Sequence, residues 1–140
     1  MRSVIEAAGE TPGEICLLDT EASPEHLSRG TARYADTLLV VVEPYFKSLE
    51  TGRRMSALGR DLGVERVALV ANKIQNHEEL AAVGEFADQH ALSIAGTVPF
   101  DEQLPAAERA SAAPIDFAPD SQAIAAIAAI ARQAVTGNGR

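Results

Sequence analysis

The sequence predicts an α/β fold in which a parallel sheet of about four strands is flanked by helices in three layers. Four short apolar runs recur along the chain, and longer amphipathic stretches separate them. Each run is near-continuous rather than alternating, which is typical of strands buried on both faces of a parallel sheet. Strands that alternate with helices favour right-handed crossovers and a three-layer architecture. The 140 residues are 46% hydrophobic and predict a single domain over 1–135, followed by a flexible tail over 136–140.

Each predicted strand ends in a polar residue or a proline. The four predicted strands, each given with the residue that follows it, are 15–18 (Asp19), 37–42 (Glu43), 66–71 (Asn72) and 92–98 (Pro99). Cys16, inside the first run, is expected to behave as a small buried hydrophobe. In open sheets of this class, ligands bind at the carboxyl ends of the strands. The residues that follow the strands are therefore the candidates for a functional site.

Helical patterns lie between and after the strands. The predicted helices are one capped by Ser23, one capped by Ser48 and stopped by Gly63, one over 78–90 and one over 121–135. The last has isoleucines three residues apart among alanines, which predicts a narrow apolar stripe. The stretch 101–120 is rich in alanine and proline and predicts a loop with a short helix.

Charge and cysteine content exclude several classes of protein. The formal net charge is −8, from 12 Lys and Arg against 20 Asp and Glu. An acidic chain of this kind is unsuited to bind nucleic acid or an anionic membrane. One cysteine cannot form an intramolecular disulfide, and no Cys/His cluster predicts a metal site. No apolar run is long enough to span a membrane. A reducing, cytoplasmic compartment is the expectation.

Asp19 is the candidate catalytic residue. It follows an apolar run, which is the Walker B pattern of nucleotide hydrolases, where the aspartate holds the water shell of magnesium or the attacking water. An aspartate at the end of a strand also caps ordinary turns, and that alternative stays open.

Asn72 and Lys73 are candidates for binding a purine base. They match the start of the Asn-Lys-x-Asp motif, in which Asn pairs with the purine and Asp accepts from guanine. Gln75 stands at the Asp position, and a neutral amide is a poorer partner for the two donors of guanine. The pair therefore favours adenine, although a plain turn with an exposed lysine is the alternative.

The turn formed by Pro99, Phe100 and Asp101 is the second candidate for the base site. Proline fixes the backbone there, which can present amides to the edge of a base. An ordinary turn at the end of a strand is the alternative. A phosphate-binding loop is missing, because the only lysines, Lys47 and Lys73, do not lie in a glycine-rich loop before a helix.

The segment 19–31 resembles the switch II segment of CooC-type carbon monoxide dehydrogenase maturation ATPases, which belong to the MinD/ParA-like branch of P-loop ATPases. The segments 39–44, 47–51 and 72–73 follow this family in order and spacing. The resemblance implies that Asp19 serves magnesium or water and that the γ-phosphate is sensed by a switch made of Thr20, Glu21, Ala22 and Ser23. It also implies that adenine is held by Asn72, Lys73, Pro99, Phe100 and Asp101.

The resemblance further implies ATP and magnesium as cofactors, a homodimer, and nickel insertion into carbon monoxide dehydrogenase as the client. Ser23 departs from the glycine that is usual in the family. The deviant Walker A loop and the Cys-x-Cys motif, both expected upstream, are absent from these 140 residues. The chain therefore looks like the carboxy-terminal part of such an ATPase, although whether Met1 is the true start stays open.

Two functions compete at this point. One is an ATPase portion that is inactive alone and needs a P-loop from the same chain or from a partner. The other is a non-catalytic module that pairs with an intact MinD/ParA-like ATPase. A flavodoxin-like fold without nucleotide chemistry ranks last. In the family, the P-loop strand lies between the first two strands predicted here, so the isolated chain is expected to be marginally stable or to need a partner.

Overall fold

The computed structural model describes residues 15–20 and 35–136, and within them an α/β fold with a parallel sheet. The elements in chain order are β1 (Thr37–Val42), α1 (Phe46–Asp61), β2 (Arg66–Ile74), α2 (His77–Gln89), β3 (Ser93–Pro99), α3 (Gln103–Arg109), α4 (Pro114–Phe117) and α5 (Gln122–Thr136). The sheet has three strands in the order β1-β2-β3. The predicted fold class is confirmed. No helix in the described part of the chain is long and apolar enough to cross a membrane.

β2 is the central strand, and it pairs in parallel with both neighbours. Its register with β1 is regular, from Thr37 opposite Arg66 to Val42 opposite Ala71. Its register with β3 shifts twice, the second time between Ala71 and Ile74. The strand is rich in valine and alanine without alternation, as expected for a strand covered on both faces.

Helices cover the sheet on both faces. On one face α1 and α2 pack on the strands around a core that includes Val42, Leu69 and Val83. On the other face α5 packs on β2 and β3 through Val70, Val98, Ala123 and Ile130. The isoleucine stripe predicted for the last helix contributes Ile130 to this second core. The described residues thus form the three layers that the sequence predicts.

The helix boundaries agree with the sequence signals except at the start of α1. Gly63 has a φ of 85° just after α1 ends, so its predicted role as a stop signal is confirmed. Ser48 is not the N-cap, because α1 already begins at Phe46 after Tyr45. The Ser48 hydroxyl instead accepts a hydrogen bond from the backbone N–H of Glu43 at 2.9 Å. The stretch 101–120 holds two short helices, α3 and α4, rather than one.

The predicted first strand is wrong. Residues 15–20 have no regular secondary structure and are exposed, and Leu17 keeps 91% of its surface accessible. Cys16, expected to be buried, is exposed too. Among the described residues β1 pairs only with β2, and the run 15–18 pairs with none of the three described strands. The helix predicted after Ser23 lies outside the described residues, as do 137–140 of the predicted tail.

Small residues let α1 approach the sheet closely. A Cβ added at Gly52 would overlap Val42 Cγ1 and would lie 3.5 Å from Leu69 Cδ2. Val42 and Leu69 are fully buried and Val42 is stiff at χ1, so neither can yield cheaply. Gly84, in the middle of α2, has no atom within 4 Å of such a Cβ.

Alanine at these two helical glycines is expected to act in opposite directions. Gly84→Ala should stabilise the chain by about 0.5–1 kcal/mol, because alanine has the higher helix propensity and the site has room. Gly52→Ala should destabilise it by about 1–3 kcal/mol, because overpacking exceeds the same propensity gain. Thermal or urea unfolding of the two variants beside the wild type measures both effects. Equal stability of the two variants would contradict the packing described for α1.

Ser56 carries a buried hydroxyl without a hydrogen-bond partner in α1. Ser56→Ala is expected to raise the free energy of unfolding by about 1 kcal/mol, because it removes an unsatisfied polar group from the core. Ser48→Ala is the matched variant, and it should lower the free energy of unfolding, because the Ser48 hydroxyl has a backbone donor. A loss of stability in Ser56→Ala would mean that this hydroxyl has a partner after all.

Candidate functional site

A cleft of about 510 Å³ lies at the carboxyl ends of β2 and β3. It is lined by all five residues that the sequence nominates for base binding, namely Asn72, Lys73, Pro99, Phe100 and Asp101. The pairing of β2 with β3 explains the convergence, since parallel strands end at the same edge of the sheet. Their role in binding a nucleotide stays a prediction.

Asn72 and Lys73 lie inside β2 rather than after it, because the strand continues to Ile74. Between the pairs Ala71–Thr97 and Ile74–Pro99, β2 has one residue more than β3. This bulge puts Lys73 in the left-handed region, with a φ of 57°. Bulges of this kind redirect a side chain at the end of a strand. Here the bulge coincides with the part of β2 that lines the cleft.

Phe100 offers an accessible aromatic ring to the cleft. Its backbone N–H donates to the carbonyl of Ile74 at 2.9 Å, so the residue is fixed to the end of β2. Its side chain is 43% exposed, although phenylalanine favours burial. Pro99 precedes it and has no N–H to satisfy. The turn is thus anchored to β2, and Phe100 stays partly exposed where it lines the cleft.

The Asp101 carboxylate is held by the start of α5 and by the turn before α3. It accepts from the Ser121 hydroxyl at 2.7 Å and from the Gln103 N–H at 2.9 Å. The Ser121 hydroxyl, and then the Gln103 N–H, lower the pKa of Asp101 below its usual value. Asp101 therefore lines the cleft while its oxygens fix the loop and the helix in place.

Glu43 is part of this edge of the sheet, and it is absent from the predicted site residues. Its carboxylate accepts from Lys73 Nζ at 2.8 Å. The hydrogen bond and the charge of Glu43 raise the pKa of Lys73. The signal that could have found Glu43 is the strand register, because Val42 lies opposite Ala71, and Glu43 and Asn72 are the residues that follow these two.

The outer part of the cleft comes from the segment that the sequence predicts mainly as a loop. Side chains of α3, α4 and the turn between them complete the lining, namely Leu104, Pro105, Glu108, Ala112 and Pro114. These residues belong to no recognisable motif, so the sequence offers no signal for them. Most are apolar, as expected for a site that buries a flat ligand.

The residues predicted for magnesium and the switch do not join this cleft in the described part of the chain. Asp19 and Thr20 lie in the exposed segment 15–20, and neither lines the cleft. Glu21, Ala22 and Ser23 lie outside the described residues. A second cleft of about 490 Å³ lies towards the amino ends of the strands, around Thr37, Arg66 and Ser93, and contains none of the predicted residues.

Comparison with known proteins places the chain in a family. No family model matches it. It is 36% identical over 106 residues to the carbon monoxide dehydrogenase accessory protein CooC of Rhodospirillum rubrum, an alignment that covers 76% of this chain and 40% of that protein. An uncharacterized ATP-binding protein of Methanocaldococcus jannaschii is 36% identical over 91 residues, which cover 65% of this chain and 35% of the relative. The chain belongs with the CooC-type, ATP-binding proteins.

Solved structures show the same fold for this CooC-type chain. MinD of Aquifex aeolicus matches with a TM-score of 0.63 at 23% identity, over 79% of this chain and 48% of that one. MinD of Pyrococcus horikoshii, solved as a complex with Mg-ADP, matches with a TM-score of 0.67 at 15% identity, over 99% and 58%. The chain spans about 40% of the length of the CooC relative. Its family is one of nucleotide-binding ATPases.

Asp101→Asn is expected to lower the melting temperature at neutral pH. The folded-state pKa of Asp101 is depressed, so the ionised carboxylate contributes stability at pH values above its ordinary pKa of 3.8. That contribution is lost as the pH falls through the folded-state pKa. Melting curves of the variant and the wild type should therefore differ at pH 7 and converge once the pH is below the depressed pKa of Asp101.

Ser121→Ala is the companion variant, because it removes the largest cause of the depressed pKa. The pKa of Asp101, followed by the ¹³C shift of its carboxyl carbon, should rise towards the ordinary value in this variant. An unchanged pKa in Ser121→Ala, or an Asp101→Asn variant that melts like the wild type at pH 7, would contradict the role assigned to this hydrogen bond.

Proposed function

We propose that the cleft at the ends of β2 and β3 binds the adenine base of a nucleotide, and that the chain is the base-binding part of a CooC-type ATPase. The observation that carries the proposal is that all five residues nominated for base binding lie in one cleft. The relatives that are described as ATP-binding, and the MinD structure with Mg-ADP, support a nucleotide as the ligand.

The chemistry of the lining suits a purine base. The Asn72 amide has a donor and an acceptor, which together match the N6 amino group and N7 of adenine. The Phe100 ring offers a face for stacking on the base, and Leu104, Pro105 and Pro114 exclude water from its edges. The Asp101 carboxylate is already engaged with Ser121 and Gln103. Guanine, which needs a carboxylate acceptor for its two donors, is therefore the poorer ligand.

Phosphate binding needs residues from outside these 140. The sequence contains no glycine-rich loop with a lysine before a helix, and the Lys73 ammonium is paired with Glu43. We propose that Asp19 serves magnesium or its water once such a loop is supplied, in a longer chain or by a partner. The segment 20–23 would then act as the switch that senses the γ-phosphate. The isolated chain is expected not to hydrolyse ATP.

The proposed biological role follows the CooC relative. That protein is named an accessory protein of carbon monoxide dehydrogenase. We propose that this chain serves the maturation of the same class of client by nickel insertion, in the cytoplasm and as part of a dimer. The lone cysteine, Cys16, cannot by itself supply a Cys-x-Cys nickel site, so in this proposal that motif also lies outside the 140 residues.

A non-catalytic module that pairs with an intact ATPase is the second candidate. It is favoured by the open edge of β1, which pairs only with β2 among the described residues. Val41 on that strand is 59% exposed, which is unusual for valine in a parallel sheet. Capture of a P-loop ATPase by the tagged chain, with no gain in its ATP turnover, would favour this candidate over the first.

Binding of AMP to the 140-residue chain tests the base site directly. Asn72→Ala and Phe100→Ala should each weaken AMP binding by about 5- to 10-fold, which corresponds to the loss of a hydrogen bond or of stacking on one base. Gln75→Ala is the matched control and should leave the affinity unchanged, because Gln75 does not line the cleft. Chemical shifts of the backbone amides during an AMP titration give both the affinity and the location.

Further nucleotides separate the two halves of the proposal. ATP should bind the isolated chain no more tightly than AMP, because the added phosphates meet no basic loop. GMP should bind more weakly than AMP. If AMP shifts no amide of the cleft, or if Gln75→Ala impairs binding as much as Asn72→Ala does, the base site is refuted. Rapid ATP turnover by the isolated chain would refute the missing phosphate site.

A further inference from the structure

The bulge in β2 leaves Lys73 in a strained position at the cleft. Its φ of 57° lies in the left-handed region, which few residues other than glycine and asparagine adopt. Such a conformation persists where neighbouring contacts determine it, and it is common at ligand sites. The Lys73 ammonium contacts the Glu43 carboxylate at 2.8 Å. The ion pair therefore joins the strained residue to the turn that follows β1.

Glu43 is itself well anchored. Its backbone N–H donates to the Ser48 hydroxyl at 2.9 Å, and its carbonyl accepts from the Tyr45 N–H at 2.8 Å. These bonds fix the turn between β1 and α1, from which the carboxylate reaches across to β2. The Glu43 side chain is 33% exposed and that of Lys73 is 54% exposed. The anchored partner is thus the more buried member of the pair.

The two residues differ in their relation to the cleft. Lys73 lines it, whereas Glu43 does not. The carboxylate that binds the ammonium thus belongs to a residue outside the lining. A lysine stem can cover an apolar or aromatic surface while its charged end is held elsewhere.

We propose that Glu43 is a positioning residue for the base site, which acts by holding the stem of Lys73 along the cleft and its charge out of it. The inference rests on the proposed adenine site. It assigns a function to the β1–α1 turn, which contributes no atom to the cleft. It also makes Lys73 a wall of the base site rather than a phosphate ligand.

A double-mutant cycle on AMP binding tests this coupling. Glu43→Gln should weaken AMP binding by about two- to fivefold, which is the range expected when a partly exposed ion pair is lost. Lys73→Met keeps the stem without the charge, and its own affinity for AMP is the reference for the second half of the cycle. In the Lys73→Met background, Glu43→Gln should have no further effect, because the carboxylate no longer has a cation to hold.

Glu50→Gln is the matched control. It removes the ion pair with Arg53, at 2.7 Å on the same helix α1, and leaves the cleft untouched. Its melting temperature reports the stability effect of losing a surface ion pair, and its AMP affinity should equal that of the wild type. A fall in AMP affinity equal to that of Glu43→Gln would mean that the effect is only structural, and would overturn the inference.

A spectroscopic readout distinguishes positioning from stability. The chain has two lysines, so a sample with ¹³Cε-labelled lysine gives two signals, those of Lys47 and Lys73. AMP should shift the Lys73 signal and leave the Lys47 signal in place. Glu43→Gln should move the titration of Lys73 to lower pH, because the raised pKa depends on that carboxylate.

The outcomes separate the two proposals. If AMP causes no shifts at the cleft in the wild type, the adenine site fails and this inference fails with it. If AMP binds the wild type and Glu43→Gln equally well, or if Glu43→Gln is equally harmful with Met at position 73, only the role of Glu43 is overturned.

Discussion

The described structure depends on β2 and its parallel pairing with a strand on either side. Leu69 and Ala71 in this strand are fully buried, and helices cover it from both faces. Parallel pairing aligns the carboxyl ends of β1, β2 and β3, and so brings together side chains that are far apart in the chain. Glu43, Lys73 and Phe100 come to the same edge of the sheet in this way. The extra residue in β2 between Ala71 and Ile74 then sets how Lys73 leaves that edge.

The same contacts stabilise the core and shape the cleft. Asp101 lines the cleft, yet its carboxylate is bound to the Ser121 hydroxyl at the start of α5. That helix covers the second face of the sheet through Ala123 and Ile130. The position of the turn at 99–101 is therefore coupled to the packing of a whole helix. A site built on such elements is held more rigidly than one carried by a free loop.

Sequence patterns predicted the features that depend on local chemistry. They failed for the features that depend on which other element packs beside a segment. The runs 37–42, 66–71 and 92–98 correspond to strands, and each strand is hydrogen-bonded to a parallel neighbour. The equally apolar run 15–18 does not, and no periodicity reveals whether a neighbouring strand is present. Ser48 has the right chemistry for a helix cap, but its hydroxyl accepts a hydrogen bond from the Glu43 N–H instead. The residues that follow the strands were found, whereas Glu43 and the lining from α3 and α4 required the register and the packing.

Charge explains why base recognition and phosphate recognition can be separated in this chain. The chain has twenty acidic and twelve basic residues, so its net charge is −8. A negatively charged triphosphate would be repelled by a molecule of this charge. The ammonium of Lys73, the lysine at the cleft, is already satisfied by Glu43. An adenine base is uncharged, so the proposed site, a mostly apolar lining that includes the Asn72 amide, suits it in spite of the acidic surface. The phosphates need the opposite environment, with magnesium and converging backbone amides. In the proposed ATPase, the part that binds phosphate must therefore bring its own positive charge to the edge where β1 ends.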